Sequence, residues 1–431
     1  MMKFLAYTDP LTCTRNAMAK AQYLTAQEAA AELGVSPATL YAYVSRGLIH
    51  SEPVADNSRS RRYQRDDIQQ LKERNELRHN PVKAAEKALH WGAPVLDSAL
   101  TLIDDGHLYY RGHDAVELAT TRRVEEVAAL IWLGEAAAEA ATLFEAAGKR
   151  ASFRCLAMRR RVADLPPTEM FQAILPVAAA EDVAAYDLRL SAVAQTGARI
   201  LGLLTLVAAG RDEQGTDIAQ TLQEGWVPDD PLAAQLLRAA LILCADHELN
   251  VSAFTARCVA SAGATSYAVV MAGLAALQGV KHGGSVEQVE AFLREVSTPT
   301  HAQAVIAHRL KHGEHLPGFG HLLYPAGDPR GKALLELTTN AYPDAPATAL
   351  GEAIVTQVLR ATGQHPTIDF GLAVLAGALQ QPPGAALALF ALGRTIGWIG
   401  HAIEQYQRDQ LIRPRARYVG PAPWPHENTR H

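Results

Sequence analysis

A chain of 431 residues, 48% apolar and 20% charged, is long enough for two or three domains with buried cores. Its formal charge of -5 excludes a protein that holds nucleic acid by bulk charge along its whole length, although one segment is locally basic. Aromatic residues make up 6%, and long Ala/Leu-rich stretches lack β-branched alternation, so the fold class reads as all-α. The longest apolar run, around Ile200 to Gly210, is short for a membrane span. Met1 to Thr8 is not followed by an extended hydrophobic region with a cleavage site. Cys13, Cys155, Cys244 and Cys258 are scattered without a CxxC pair and read as reduced thiols. These features predict a cytoplasmic protein with no membrane partner.

Residues 1–22 read as an irregular leader and residues 23–78 as a compact unit of different character. Thr25 with Glu28 predicts a capping box at a helix start, and Gly34 predicts its end. Ser36-Pro37 opens a second helix, with Pro37 at the favoured first position, that runs toward Gly47. A polar hairpin and a helix from Asp66 follow, with Arg59, Arg61, Arg62 and Arg65 making the passage basic. Two short helices joined by a tight glycine turn form a helix-turn-helix pattern.

Residues 79–94 read as a linker, and from about residue 95 the chain is a long helical body broken at Gly and Pro clusters. Five places in the body combine polar groups with shaped backbone. The first is DHELN, with Asp246, His247, Glu248 and Asn250 at a helix start; His247 alone fits a cap or a satisfied buried histidine. In KHGGS, His282 precedes a double glycine and a helix start, where backbone amides favour an anion or a developing oxyanion. PGFGHLLYPAGDPR carries His321 and Arg330 on a loop shaped by Gly and Pro. PTIDF puts Asp369 at the start of an apolar helix, as an N-cap or as a base. Arg394 lies inside an apolar helix, where a guanidinium needs an anion, and Arg413, Arg415 and Arg417 follow on a C-terminal segment.

Three histidines, an aspartate and several arginines suit a polycarboxylate substrate and proton abstraction beside a carbonyl. The spacing is no metal signature, so no metal is expected. His308 and His312, four apart, offer a competing metal pair, against the commoner reading of a solvated helix face.

Taken in order, LYYRGHDAVELA, DHELNVSAFTARCVASAGA, VKHGGSVEQV, PGFGHLLYPAGDPR, PTIDF, GRTIGWIGHAIEQ and LIRPRARYVGP resemble the citrate synthase family, including its 2-methylcitrate relatives, over residues 95–421. The resemblance implies the citrate synthase fold, with a large domain at 95–286 and 371–431, a small domain at 287–370, and a homodimer. It implies condensation of acetyl-CoA or propionyl-CoA with oxaloacetate, the entry reaction of the tricarboxylic acid cycle, with acyl-CoA as co-substrate and no bound cofactor. Asp369 matches the base, His282 the donor to the enol oxygen, and His321 the group that polarises the ketone. His247, Arg330 and Arg394 match oxaloacetate ligands, and Arg413 matches an arginine shared across the dimer. Relatives usually read GFGHRVYK where this chain has Leu322 and Pro325, which removes cations suited to CoA phosphates. Residues 23–78 resemble the winged helix-turn-helix of MerR and excisionase proteins, which implies DNA contacts from Arg46, Arg59, Arg61 and Arg62. The alternative function is a DNA-binding regulator that senses a metabolite through a citrate synthase body.

Overall fold

The computed structural model describes residues 23–54, 57–65, 67–68, 71, 96–134, 137–147, 150–215 and 217–421. The expected leader at 1–22 and linker at 79–94 lie outside the described residues. The chain divides into two compact units, residues 1–97 and 98–431.

In the first unit, β1 (Tyr23–Thr25) leads into α1 (Ala26–Leu33) and α2 (Pro37–Ser45), followed by β2 (Ser51–Val54) and β3 (Asn57–Gln64). The capping box forms: Thr25 Oγ1 accepts the Glu28 amide at 3.3 Å, and Glu28 Oε2 accepts the Thr25 amide at 2.8 Å. Gly34 closes α1 and Ser36 caps α2, accepting the Thr39 amide at 3.2 Å. The hairpin pairs β2 with β3 antiparallel. The sequence reading passed over β1, which pairs with the other edge of β3 in the order β1-β3-β2. Leu24, Ala29, Leu40, Ile49 and Tyr63 form a small core.

The second unit begins with a three-stranded antiparallel sheet, β4 (Thr101–Asp104), β5 (His107–Tyr110) and β6 (His113–Asp114). The helical reading missed this sheet, although Asp105-Gly106 between two alternating stretches is a hairpin signal. Helices α3 (Ala115–Thr121), α4 (Val124–Leu133), α5 (Ala137–Ala147), α6 (Phe153–Arg161), α7 (Pro167–Glu181) and α8 (Leu190–Ala209) follow. Next come α9 (Ile218–Trp226), α10 (Ala233–Leu243), α11 (Val251–Ser261) and α12 (Ser266–Leu277). The order ends with α13 (Ser285–Val296), α14 (Ala302–Lys311), α15 (Pro329–Ala341), α16 (Pro346–Thr362), α17 (Ile368–Ala378) and α18 (Ala385–Arg408).

Two cores hold this unit. The larger gathers α4, α8, α10, α12 and α18 around Trp132, Phe171 and Trp398. The smaller gathers α13, α14 and α16 around Phe292, Ile306, Phe319 and Val358. Helix α17 belongs to both, giving Ile368, Leu372 and Leu375 to the larger and Phe370, Ala373 and Val374 to the smaller. That explains why it is apolar all round. Helices α8 and α18 are long and apolar enough to cross a membrane, but 78% and 100% of their apolar windows are buried inside the fold. The 20-residue α8 extends beyond the apolar run recognised in the sequence.

Helix α18 approaches the α10–α11 connection through small residues. At Gly397 an added Cβ would lie 2.4 Å from Ala245 O and 2.5 Å from Asp246 Oδ1. The Gly397 amide donates to Ala245 O at 2.9 Å. We therefore expect Gly397→Ala to push α18 away from this turn and cost about 1–3 kcal/mol, read as a lower urea midpoint. An unchanged midpoint would show that the close approach carries no stability.

Candidate active site

The connection between α10 and α11 carries His247 and is clamped from several sides. Tyr110 Oη donates to Ile242 O at 3.0 Å, and the Arg394 Nε of α18 donates to Cys244 O at 2.9 Å. Asp246, fully buried, accepts Thr101 Oγ1 at 2.6 Å and lies 3.2 Å from His401 Nε2. Burial raises the Asp246 carboxyl, but His401 and Arg394 outweigh it and hold the group below the usual carboxylate range. His247 is not a cap. Asn250 caps α11, accepting the Ser252 and Ala253 amides, each at 3.1 Å.

The loop before α15 brings the second half of the site. Gly318 and Gly320 take left-handed φ values of 82° and 77° around Phe319, which packs on Phe370. His321 then lies 5.3 Å from His247 and 5.0 Å from Tyr324, ring centre to ring centre. His321 Nδ1 accepts the Leu323 amide at 3.2 Å, so the proton of the neutral ring sits on Nε2. Tyr324 Oη is 3.1 Å from His247 Nε2, and the Arg330 guanidinium lies 5.6 Å from the Tyr324 ring centre.

Arg330 and Arg394 differ in compensation. Asp328 caps α15 and takes Arg330 in a two-point pair, at 2.9 Å from Nε and 2.8 Å from Nη2. Asp328 Oδ2 also accepts the Ile368 amide at 3.0 Å, which ties this pair to the residue before Asp369. Arg394 is buried against the Phe390 ring at 4.8 Å and has no carboxylate at ion-pair distance among the described residues. Burial pulls its pKa down. Among the described residues, the anion that the sequence reading required is thus not supplied by a carboxylate at contact distance.

His282 and Asp369 complete the centre. The His282 Nε2 lies 2.8 Å from Ser252 Oγ, which also contacts Asn250 Oδ1 at 2.8 Å and Trp398 Nε1 at 3.1 Å. Of the two readings of Asp369, the cap is excluded, because Thr367 holds the N-cap position. Asp369 instead accepts Ser285 Oγ at 3.0 Å and Thr367 Oγ1 at 3.1 Å. Burial raises its pKa despite both hydroxyls. Burial, with the two arginines adding, holds His247 well below the ordinary histidine range. His282 and His321 each fall to about 4, through burial first, then Arg394 for His282 and Arg330 for His321.

The structure therefore joins His247, His282, His321, Arg330, Asp369 and Arg394 in one network. Arg413 stays apart, exposed on the extended segment after α18. The sequence reading missed Tyr324, Ser252, Ser285, Thr367 and the Asp246–His401 pair as parts of the centre. Asp328, within the PGFGHLLYPAGDPR stretch, carried no role in that reading. Only the adjacency of Asp328 to Arg330 and of Ser252 to Asn250 offered a signal. The His308 and His312 rings do meet, at 4.3 Å, but His312 Nδ1 bonds His308 O, and no group of three or more metal-binding side chains occurs among the described residues.

In the first unit, Arg46 is exposed at the end of α2, and Arg61 is exposed on β3. Arg62 is engaged, donating to Glu52 Oε2 at 2.9 Å with its guanidinium 4.3 Å from the Tyr23 ring centre. The Arg59 side chain lies outside the described residues.

The depressed histidines link stability to pH. Their unfolded forms take up a proton near 6.5, and the folded His282 and His321 do so only near 4. Below 6.5 the unfolded state binds more protons, so stability falls as the pH drops from 6.5 toward 4. Urea unfolding of the wild type at stepped pH should show this fall, and His282→Gln should reduce its slope.

Comparison with known proteins matches the family model "Citrate synthase, C-terminal domain" to residues 88–415 and a "Helix-turn-helix domain" to residues 23–76. Citrate synthase 2 of Bacillus subtilis is 37% identical over 194 residues, which cover 44% of this chain and 52% of the relative, so the chain spans about half that protein's length. The citrate synthase of Haloferax volcanii is 31% identical over 358 residues, covering 76% of this chain and 94% of the relative. The crystal structure of citrate synthase from Pyrobaculum aerophilum superposes with a TM-score of 0.70 at 26% identity, covering 77% of this chain and 92% of that one. With more than half of its length matched by the family model and six of the seven expected body side chains brought close together, the chain belongs to the citrate synthase family of acyl-CoA-condensing enzymes and carries an N-terminal helix-turn-helix domain.

Proposed function

We propose that the body condenses an acyl-CoA with oxaloacetate and releases CoA, giving citrate from acetyl-CoA or 2-methylcitrate from propionyl-CoA. The observation that carries this reading is the buried Arg394, without a contacting carboxylate, beside neutral imidazoles and a carboxyl of raised pKa. Arg394, Arg330 and His247 hold the oxaloacetate carboxylates. Asp369 takes a proton from the carbon next to the thioester carbonyl, and His282 donates a hydrogen bond to the oxygen where the enolate charge develops. Ser252 Oγ donates its single proton to Asn250 Oδ1; turning that proton to His282 Nε2 instead leaves the imidazole proton on Nδ1 for the enolate oxygen. The new carbon–carbon bond forms at the oxaloacetate ketone, whose oxygen takes the Nε2 proton of His321. Water then cleaves the citryl thioester.

A raised carboxyl pKa suits this task, since a base nearer neutrality has more driving force to remove a weakly acidic proton. The acyl choice rests on pocket shape, because a methylene is worth only about 1–3 kcal/mol. The residues after His321 set how CoA is held: Leu322 is exposed where relatives usually carry a cation, and Lys281, exposed beside His282, is a replacement. A homodimer that brings Arg413 into the neighbouring site is part of this reading, as is a small closing domain at 287–370. The buried Cys155 and Cys244 are free thiols, which fits a reducing cytoplasmic setting.

Free-thiol release from acetyl-CoA and propionyl-CoA, each with and without oxaloacetate, tests the proposal. We expect oxaloacetate-dependent release that falls about 10²–10⁴-fold in Asp369→Asn, while oxaloacetate binding persists because the arginines remain. Equal release by the variant would remove Asp369 from the role of base.

The helix-turn-helix match favours a second activity alongside the first: DNA binding through residues 23–78. The cations that support it are Arg46 and Arg61, since Arg62 is engaged with Glu52 and Tyr23. DNA affinity should fall with added salt, and Arg46→Ala with Arg61→Ala should weaken it and flatten the salt slope. No binding at low salt would return this unit to a structural role.

A further inference from the structure

Asp369 is held by two hydroxyls that come from different elements and have no other hydrogen bond among those observed. Ser285 is the first residue of α13, and its Oγ donates to Asp369 Oδ1 at 3.0 Å. Thr367 holds the N-cap position of α17 but makes no side-chain cap bond; its Oγ1 donates to Asp369 Oδ2 at 3.1 Å. A threonine at an N-cap ordinarily satisfies a helix amide, which is worth about 1 kcal/mol. Here the hydroxyl is turned to the carboxylate instead. Each carboxylate oxygen thus receives one O–H, and each keeps a second lone-pair direction for a substrate proton.

Ser285 also lies three residues beyond His282 on one tight turn. The His282 amide donates to Gly279 O at 2.8 Å, the Ser285 amide donates to His282 O at 3.0 Å, and a Cβ at Gly283 would meet Leu277 at 2.6 Å. The turn is therefore compact, and its two ends hold the proposed enol-oxygen donor and a contact to the proposed base.

We propose that Ser285 and Thr367 are positioning residues that lock the Asp369 carboxylate in orientation and hold down its basicity, with Ser285 fixing the base relative to His282. This rests on the acyl-condensing reading for its catalytic meaning, but the geometry stands without it. The charged groups acting on Asp369 are Arg330 and Asp328 at the start of α15; helix α18, which packs on α17, carries the buried Arg394. Cys244, at the end of α10, is neutral, its thiol pushed up to about 12 by burial. On α13, Glu287 is exposed and Glu290 accepts the Gly384 amide at 3.2 Å; on α16, Glu352 and Arg360 are exposed, as are Lys332 and Glu336 on α15. The two hydroxyls are the direct hydrogen bonds to the carboxylate. Arg330 and Asp328 offset one another.

A hydroxyl donor stabilises the charged carboxylate, so removing it raises the pKa. The test is carboxyl ¹³C NMR of the full chain labelled at aspartate, with the Asp369 signal assigned by its loss in Asp369→Asn. We expect the Asp369 midpoint to rise by about one unit in Ser285→Ala and to return in Ser285→Thr. Thr367→Val, which keeps the side-chain volume, should raise it likewise. The acid limb of kcat/KM for acetyl-CoA should move up in parallel, while KM for oxaloacetate stays within twofold of the wild type. An Asp369 midpoint unchanged in folded Ser285→Ala and Thr367→Val would overturn the proposal. Absent thiol release in the wild type would count against the catalytic reading alone, and the titration would still decide the positioning role.

Discussion

The carboxylate of Asp328 is the contact on which the site depends. It is buried, and burial alone would push its pKa up, but the Arg330 charge and hydrogen bonds from Arg330 and Ile368 hold it below the usual range. It does three jobs with two oxygens: it caps α15, fixes a buried guanidinium and anchors the first residue of α17. Removing one partner of such a pair leaves an uncompensated charge in a low-dielectric interior, which costs far more than the net worth of the pair. The same contact therefore sets Arg330, the entry of α17 and the position of Asp369.

Around that contact the electrostatics follow from burial. Two arginines of the site are buried, one paired with a carboxylate and one held by a backbone carbonyl and an aromatic face. Their charges add to desolvation in keeping His247, His282 and His321 neutral. Neutral imidazoles can donate a hydrogen bond without bringing a further positive charge into the site. A site with a buried guanidinium that meets no carboxylate at contact distance among the described residues, and with neutral donors, is suited to an anionic substrate, and that complementarity underlies the proposed role for oxaloacetate.

Packing places these groups by close approach. Helix α18 reaches the turn carrying His247 only because Gly397 has no side chain to hold it off. Helix α17 is shared between two cores, so Asp369 stands where they meet. A helix wedged between two cores gives its first turn little freedom, which is useful for a base whose direction matters. The first unit follows simpler rules: a capping box, a glycine stop and a hairpin account for most of its local structure.

Most of the site was legible along the chain. Local chemistry marks the elements: Thr25 and Glu28 start a helix, Asp328 and Pro329 start another, and Gly318 and Gly320 bend the backbone around Phe319. Motif order marked the family and six of the residues that the structure gathers. Strand β1 was missed because three residues carry little periodic signal, and β4–β6 because the Ala/Leu-rich composition of the body outweighed the Asp105-Gly106 hairpin signal. Apart from near neighbours such as Asp328 and Arg330, the partners of the site residues were not readable. Ser285 lies 84 positions from Asp369, and His401 lies 155 from Asp246. The sequence by itself determined which side chains carry charge and which loops can bend, because those are local properties of covalent chemistry. Only the tertiary structure decided which hydroxyl meets the base, which arginine lacks a contacting carboxylate and which histidines stay neutral, because desolvation and hydrogen bonding arise when distant segments are packed together.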